Sequence, residues 1–123
     1  MALVGLLLGC TDSRPDAIVG GLYSVAAEGS GYKVIKVLAT DDGGVHVRMY
    51  SNRYDARPAA LDESKLHLAG VDRSPGEDLG LGHLPMSHKT FKAQKPVFIQ
   101  QSRVAPEELE GYEMWREAEG GYF

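Results

Sequence analysis

Four histidines, a single cysteine and a run of arginines interleaved with tyrosines are the side chains with chemistry to offer in this 123-residue chain. His83 and His88 stand in a glycine- and proline-flanked stretch, where two imidazoles could converge on a metal ion with Glu77 or Asp78 nearby. A metal site needs a third or fourth ligand, and the spacing supplies none. A solvated or hydrogen-bonded imidazole is the default for these two, for His46 on the polar face of a strand, and for His67. No metal or other cofactor is therefore expected. Arg48, Tyr50, Arg53, Tyr54 and Arg57, with Asn52 among them, form the best ligand-binding pattern in the chain. Guanidinium forks suit a carboxylate or phosphate, and tyrosine adds a flat face with a polar tip. The alternative is that Arg53 and Arg57 pair with Asp55, Asp62 or Glu63 on an ordinary surface. Tyr112 and Trp115 recur at helical spacing in an acidic stretch, either as anchors for a basic partner or as the buried face of a terminal helix.

Catalytic patterns are weaker. None of the serines lies in a G-x-S-x-G elbow or an S-x-x-K context, and Gly29-Ser30-Gly31 lacks the spacing of a phosphate loop. Asp41-Asp42 reads as a turn former, not an acid-base pair. The expected class is a non-enzyme, with a dyad assembled from distant residues left open.

Cys10 is the only cysteine, so the chain has neither an internal disulfide nor a thiolate metal cluster. Ala2 to Gly9 is wholly uncharged and too short to cross a bilayer, yet long enough for the core of an export signal. The stretch ends Leu7-Leu8-Gly9-Cys10, which resembles the lipobox of bacterial lipoproteins. That resemblance implies removal of residues 1–9, a diacylglycerol thioether on Cys10 and anchorage in the cell envelope, facing the periplasm or in the outer membrane. Residues 10–19 would be the lipidated cysteine and a polar tether, and residues 20–123 a single domain. The other reading of the same residues is a buried strand ending in a core cysteine.

The elements that must position these groups are mainly strands. Glycine-rich breaks at Gly29-Ser30-Gly31 and Asp41-Asp42-Gly43-Gly44 divide the region from Gly20 to Asn52 into three antiparallel strands. Val45, Val47 and Met49 should face the core. Tyr32 to Thr40 carries apolar residues on both faces, interrupted by Lys36, as a central strand would. Residues 51–82 read as loop with one short strand at Lys65 to Ala69. Ser87 suits the cap of a short helix through Lys92, and Val97 to Val104 a further strand. Pro106, Glu107 and Glu108 open a C-terminal helix that Gly120-Gly121 ends.

The expected fold is therefore small α+β: an antiparallel sheet, or a partly open SH3-like barrel, of about five strands with a C-terminal helix. The run of strands resembles the meander of SH3-like and Tudor-like barrels in pattern only. A net charge of -4, concentrated in six glutamates after Val104, argues against a nucleic-acid partner. These features lead to a membrane-anchored lipoprotein acting as a binding or structural module. The alternatives are an inhibitor or immunity-type protein for a basic partner, a small metal-dependent hydrolase, and a cytosolic SH3-like interaction module.

Overall fold

Glycine punctuation decides where the first strands end. The computed structural model describes residues 17–123, so Cys10 and the apolar run before it lie outside the described residues. Strands β1 (Gly21–Ala26), β2 (Tyr32–Thr40) and β3 (Gly44–Met49) form the expected meander. Gly29 and Gly31, at φ of 86° and 82°, make the first turn, where a side chain would be strained. In the second turn the Asp41 carboxylate accepts the amides of Gly43 and Gly44, both at 2.9 Å. After a long irregular segment come β4 (Leu81–Ser87), helix α1 (His88–Ala93), β5 (Val97–Gln101), a 3₁₀ turn (Pro106–Leu109) and helix α2 (Glu110–Glu117).

All strand pairs are antiparallel, and the order is β4-β3-β2-β1-β5. The fold is thus the small antiparallel α+β architecture expected, with an open sheet that leaves β4 and β5 as its edges. β2 is central, as its two apolar faces required.

One face of the sheet buries Tyr23, Val25, Ile35, Val37, Val45, Val47 and Met86 against Phe91 of α1. Ser87 caps that helix by accepting the Thr90 amide at 3.0 Å. The second face begins with Leu22, Val34 and Tyr50, covered by Tyr54, Leu61 and Leu66 of the long segment. Gln100 holds that segment down by exchanging two bonds with Leu61, at 2.9 and 3.2 Å. The rest of this face is polar and is crossed by the C-terminal segment.

Two expectations are corrected. Lys65 to Ala69 is not a strand: Glu63–Lys65 forms a 3₁₀ turn, and side chains satisfy the backbone that follows. Asn52 donates to the Lys65 carbonyl and accepts the His67 amide, both at 3.0 Å, while Ser51 Oγ accepts the Ala69 amide at 2.7 Å. Conversely Leu81–Ser87, expected as loop, is edge strand β4. Pro85 is tolerated there because an edge strand has neighbours on one side only. The outer side of β4 is in turn met by Phe123, whose amide donates to the Pro85 carbonyl and whose carbonyl accepts the Ser87 amide.

Candidate functional site

The densest group of titratable side chains lies on the polar face, centred on Asp41, a residue whose sequence context suggests only a turn. His46 projects from β3 toward the C-terminal segment and is 0 % exposed, so of the two expected states it takes the hydrogen-bonded one and not the solvated one. The reason is the layer above it. Tyr112 and Trp115 of α2 and Tyr122 of the tail pack their rings at 4.6, 4.5 and 5.4 Å from its centroid. His46 Nε2 donates to Asp41 Oδ2 at 3.0 Å, and Nδ1 lies 3.0 Å from Nε2 of His83 on β4. Tyr122 donates its hydroxyl to the same carboxylate at 2.6 Å. His88 Nε2 donates to the Asp41 backbone carbonyl at 3.0 Å.

The protonation pattern follows from the donors. Partial burial pushes the Asp41 carboxyl up, but the hydrogen bonds from Tyr122, His46 and the Gly44 amide outweigh it and hold the group at about 2. Asp41 is therefore an ionised acceptor, and burial together with that carboxylate pushes the Tyr122 hydroxyl up to about 12. An ionised Asp41 fixes the His46 proton on Nε2. In a neutral pair His46 Nδ1 must then accept from His83 Nε2–H, leaving His83 Nδ1 as the free lone pair. Burial, aided by the neighbouring His46, keeps His83 below the usual imidazole value and so favours that neutral state. The chain Asp41–His46–His83 can take up a proton at its outer end and pass positive charge inward toward the carboxylate.

A second polar centre lies along the same face. Lys36 of β2 is 2 % exposed, with Nζ 3.1 Å from Glu63 Oε2 and 3.0 Å from Glu108 Oε1. Arg48 approaches Glu108 at 3.6 Å, and Glu108 Oε1 also accepts the Ala105 amide at 2.8 Å. Glu108 thereby pins the start of the C-terminal segment, as His46 pins its middle.

Gly111 lets α2 come this close. A Cβ there would stand 2.8 Å from the His83 Cβ. Alanine normally favours a helix over glycine by about 1 kcal/mol, yet Gly111→Ala is expected to destabilise the protein, because the helix must lift from β4. Thermal unfolding followed by Trp115 fluorescence checks this; an unchanged or raised midpoint would show that the sheet yields instead.

The sequence-predicted residues are distributed as follows. His83 and His88 both come to Asp41, through His46 and through the backbone carbonyl, each with its Nε2 engaged in a hydrogen bond. Among the described residues no group of three or more His, Cys, Asp or Glu is placed to hold a metal ion. Arg48, Tyr50, Arg53, Tyr54 and Arg57 do not share one surface. Arg48 faces Glu108, and Tyr50 is buried in the second-face core, where burial and Glu108 push its hydroxyl up to about 12. Arg53 donates to Asp78 at 2.9 Å and to the Ser30 carbonyl, within an open pocket of about 350 Å³ shared with Tyr54 and His67. Arg57 donates to the carbonyl and hydroxyl of Ser24, both at 2.9 Å, and lies over the Tyr32 ring. Tyr112 and Trp115 face inward onto His46, with Trp115 Nε1 donating to the Gly121 carbonyl at 2.9 Å. Sequence reasoning missed Asp41 and Lys36; the odd lysine in an apolar central strand was the available signal for the second.

The fold and its two polar centres define a small open-sheet domain with a C-terminal segment clasped across one face. No protein-family model, curated protein or solved structure matches the chain. Among the described residues no helix is long and apolar enough to cross a membrane.

Proposed function

We propose that the chain is a lipid-anchored binding module of the bacterial cell envelope, carried by Cys10 and meeting a basic protein partner through the outer face of α2. The observation that carries this reading is the outer surface of that helix. With Tyr112 and Trp115 turned inward, the outside presents an open groove of about 660 Å³ formed by Pro106, Leu109 and Met114 and rimmed by Glu107, Glu110, Glu113 and Glu117. Met114 is 65 % exposed at its centre. An apolar centre ringed by like charges suits a partner with an apolar anchor and a basic rim. The inhibitor reading uses this same surface. The anchoring sequence Leu7-Leu8-Gly9-Cys10 supplies the location.

Both halves are testable. Bacteria expressing the full chain are expected to incorporate radiolabelled fatty acid into it, and Cys10→Ala is expected to abolish the label; equal labelling of the two would end the lipid-anchor reading. A photo-crosslinking amino acid at Met114 is expected to give one discrete adduct in intact cells. The same group at the exposed Val71, away from α2, should give none. Identical patterns at the two positions would remove the groove from consideration.

A further inference from the structure

Two segments of this domain carry opposite charge. From Leu79 to Pro106 the chain carries Lys89, Lys92, Lys95 and Arg103 and no acidic residue, whereas residues 107–119 carry six glutamates against Arg116. α1 lies on the face that Phe91 helps to bury, and α2 lies on the opposite face, over His46. The four basic side chains are all exposed. A protein of net charge -4 thus holds a basic side and a more strongly acidic side.

The basic side is also where apolar surface is left uncovered. Ile18, Val19, Val97 and Phe98 are each between 44 and 48 % exposed. Ile18, Val19 and Phe98 are neighbours, whereas Val97 stands opposite Ser24 in the register and leaves the strand on the other face. Phe98 packs edge-on against Tyr23 at 5.5 Å, the Tyr23 hydroxyl accepts the Ile18 amide at 3.0 Å, and Gln101 Nε2 donates to the Val19 carbonyl at 2.9 Å. β5, which carries two of the four, has a single strand neighbour, β1. Among the described residues Glu28 and Asp78 share a pocket with Gln94 near this edge.

We propose that the α1–β5 side is a membrane-facing surface that lies on an anionic bilayer, Ile18, Val19 and Phe98 entering the interface and the exposed Lys89 and Lys95 meeting lipid phosphates. The proposal rests on the lipid-anchor reading for its geometry. Cys10 stands seven residues before Ala17, which packs on the core beside this patch, so the intervening chain reaches at most about 25 Å. An acylated Cys10 would therefore keep the domain within about 25 Å of the headgroups, with Ala17 and the neighbouring patch nearest the anchor. Apolar side chains among basic ones are the chemistry of interfacial binding, and anionic lipid attracts such a surface. The acidic groove of α2 then faces away from the bilayer, where a basic partner can reach it.

The test uses the full chain with Cys10→Ala, so that acylation plays no part, and vesicles of phosphatidylcholine with or without phosphatidylglycerol. Co-sedimentation is expected with the mixed vesicles and not with pure phosphatidylcholine. Adding Lys89→Glu and Lys95→Glu, both exposed, should weaken it at least about tenfold. Val19→Asn should weaken it by a smaller factor, and circular dichroism reports whether each variant is folded. Residues 1–9 are common to all these proteins, so any affinity of their own cancels in the comparison. Equal binding by the charge-reversed protein, or no binding by any of them, overturns the proposal. Absence of fatty-acid label from the chain that retains Cys10, with vesicle binding intact, would instead remove the anchor and leave the surface.

Discussion

Lys36→Met is expected to destabilise the protein by about 3 kcal/mol, the largest effect of any single substitution on the polar face. The lysine stands in the central strand with its ammonium against two carboxylates, at 3.1 Å from Glu63 and 3.0 Å from Glu108. Methionine fills much the same volume, so the cost is electrostatic: the carboxylates remain and their cation is gone. Removal of one partner from a fully buried pair costs about 3 to 5 kcal/mol. The lower end applies here because Glu63 is partly open to water and Glu108 keeps the Ala105 amide. Glu63 carries a pH signature as well. Burial pushes its carboxyl up, but Ser102 and Lys36 outweigh that and hold it below the ordinary value. Its contribution is therefore present above the ordinary glutamate range and lost as pH falls through its lowered value. Denaturant unfolding at neutral pH gives the loss directly, provided the slope is unchanged. Glu108→Gln added to Lys36→Met should restore part of it, since one of the two stranded charges is removed. If Lys36→Met unfolds at the wild-type midpoint, the carboxylates have turned to solvent and the centre does not hold the C-terminal segment.

What could be read in the sequence was local. The two glycine breaks specify the β1–β2 and β2–β3 turns through backbone conformation alone, and the alternation of Val45 and Val47 places their side chains correctly in the core. Ser87 is recognisable as a cap because its partner is three residues away. His46 and Asp41 show where such reading stops. Alternation puts His46 on the polar face of β3, but whether that face is wet depends on a layer supplied by Tyr112, Trp115 and Tyr122, far along the chain. Asp41 does favour its turn, as its residue type implies, through Oδ1; its second oxygen carries the bond to His46, for which the turn holds no signal. Lys36 likewise meets Glu63 and Glu108, 27 and 72 residues distant. The Arg48 to Arg57 cluster illustrates the converse error. Residues adjacent in sequence leave β3 at a bend and disperse to Glu108, Asp78 and Ser24, so proximity along the chain does not become a shared surface.

Asp41→Asn is expected to cost about 1 to 2 kcal/mol at neutral pH and to alter the acid response of the C-terminal segment specifically. The carboxylate accepts from Tyr122, His46 and two turn amides at once. An amide in its place has one oxygen for these donors and turns an N–H toward one of them. The direction with pH follows from the lowered carboxyl. Asp41 titrates at about 2 in the folded protein against 3.8 for its ordinary value, so the unfolded chain binds more protons between those limits. The stabilisation is fully present above about 4 and is lost as pH falls toward 2. The stability difference between wild type and Asp41→Asn should therefore be constant from neutral pH to about 4 and shrink below it. His83 acts in the same direction at a higher pH. Its value is lowered from 6.5, so it is neutral in the fold, and stability declines as the medium falls below about 6.5. Trp115, the only tryptophan, sits against His46 and reports the segment itself. Its emission is expected to shift to longer wavelength in mild acid before the sheet unfolds, and at higher pH in Asp41→Asn than in wild type. A single transition, shared by Trp115 and by the far-ultraviolet signal of the strands and unmoved by Asp41→Asn, would mean that the Asp41–His46–His83 chain does not govern how α2 and the tail are held. Were that so, the groove around Met114 would owe its exposure to the fold as a whole and not to this clasp.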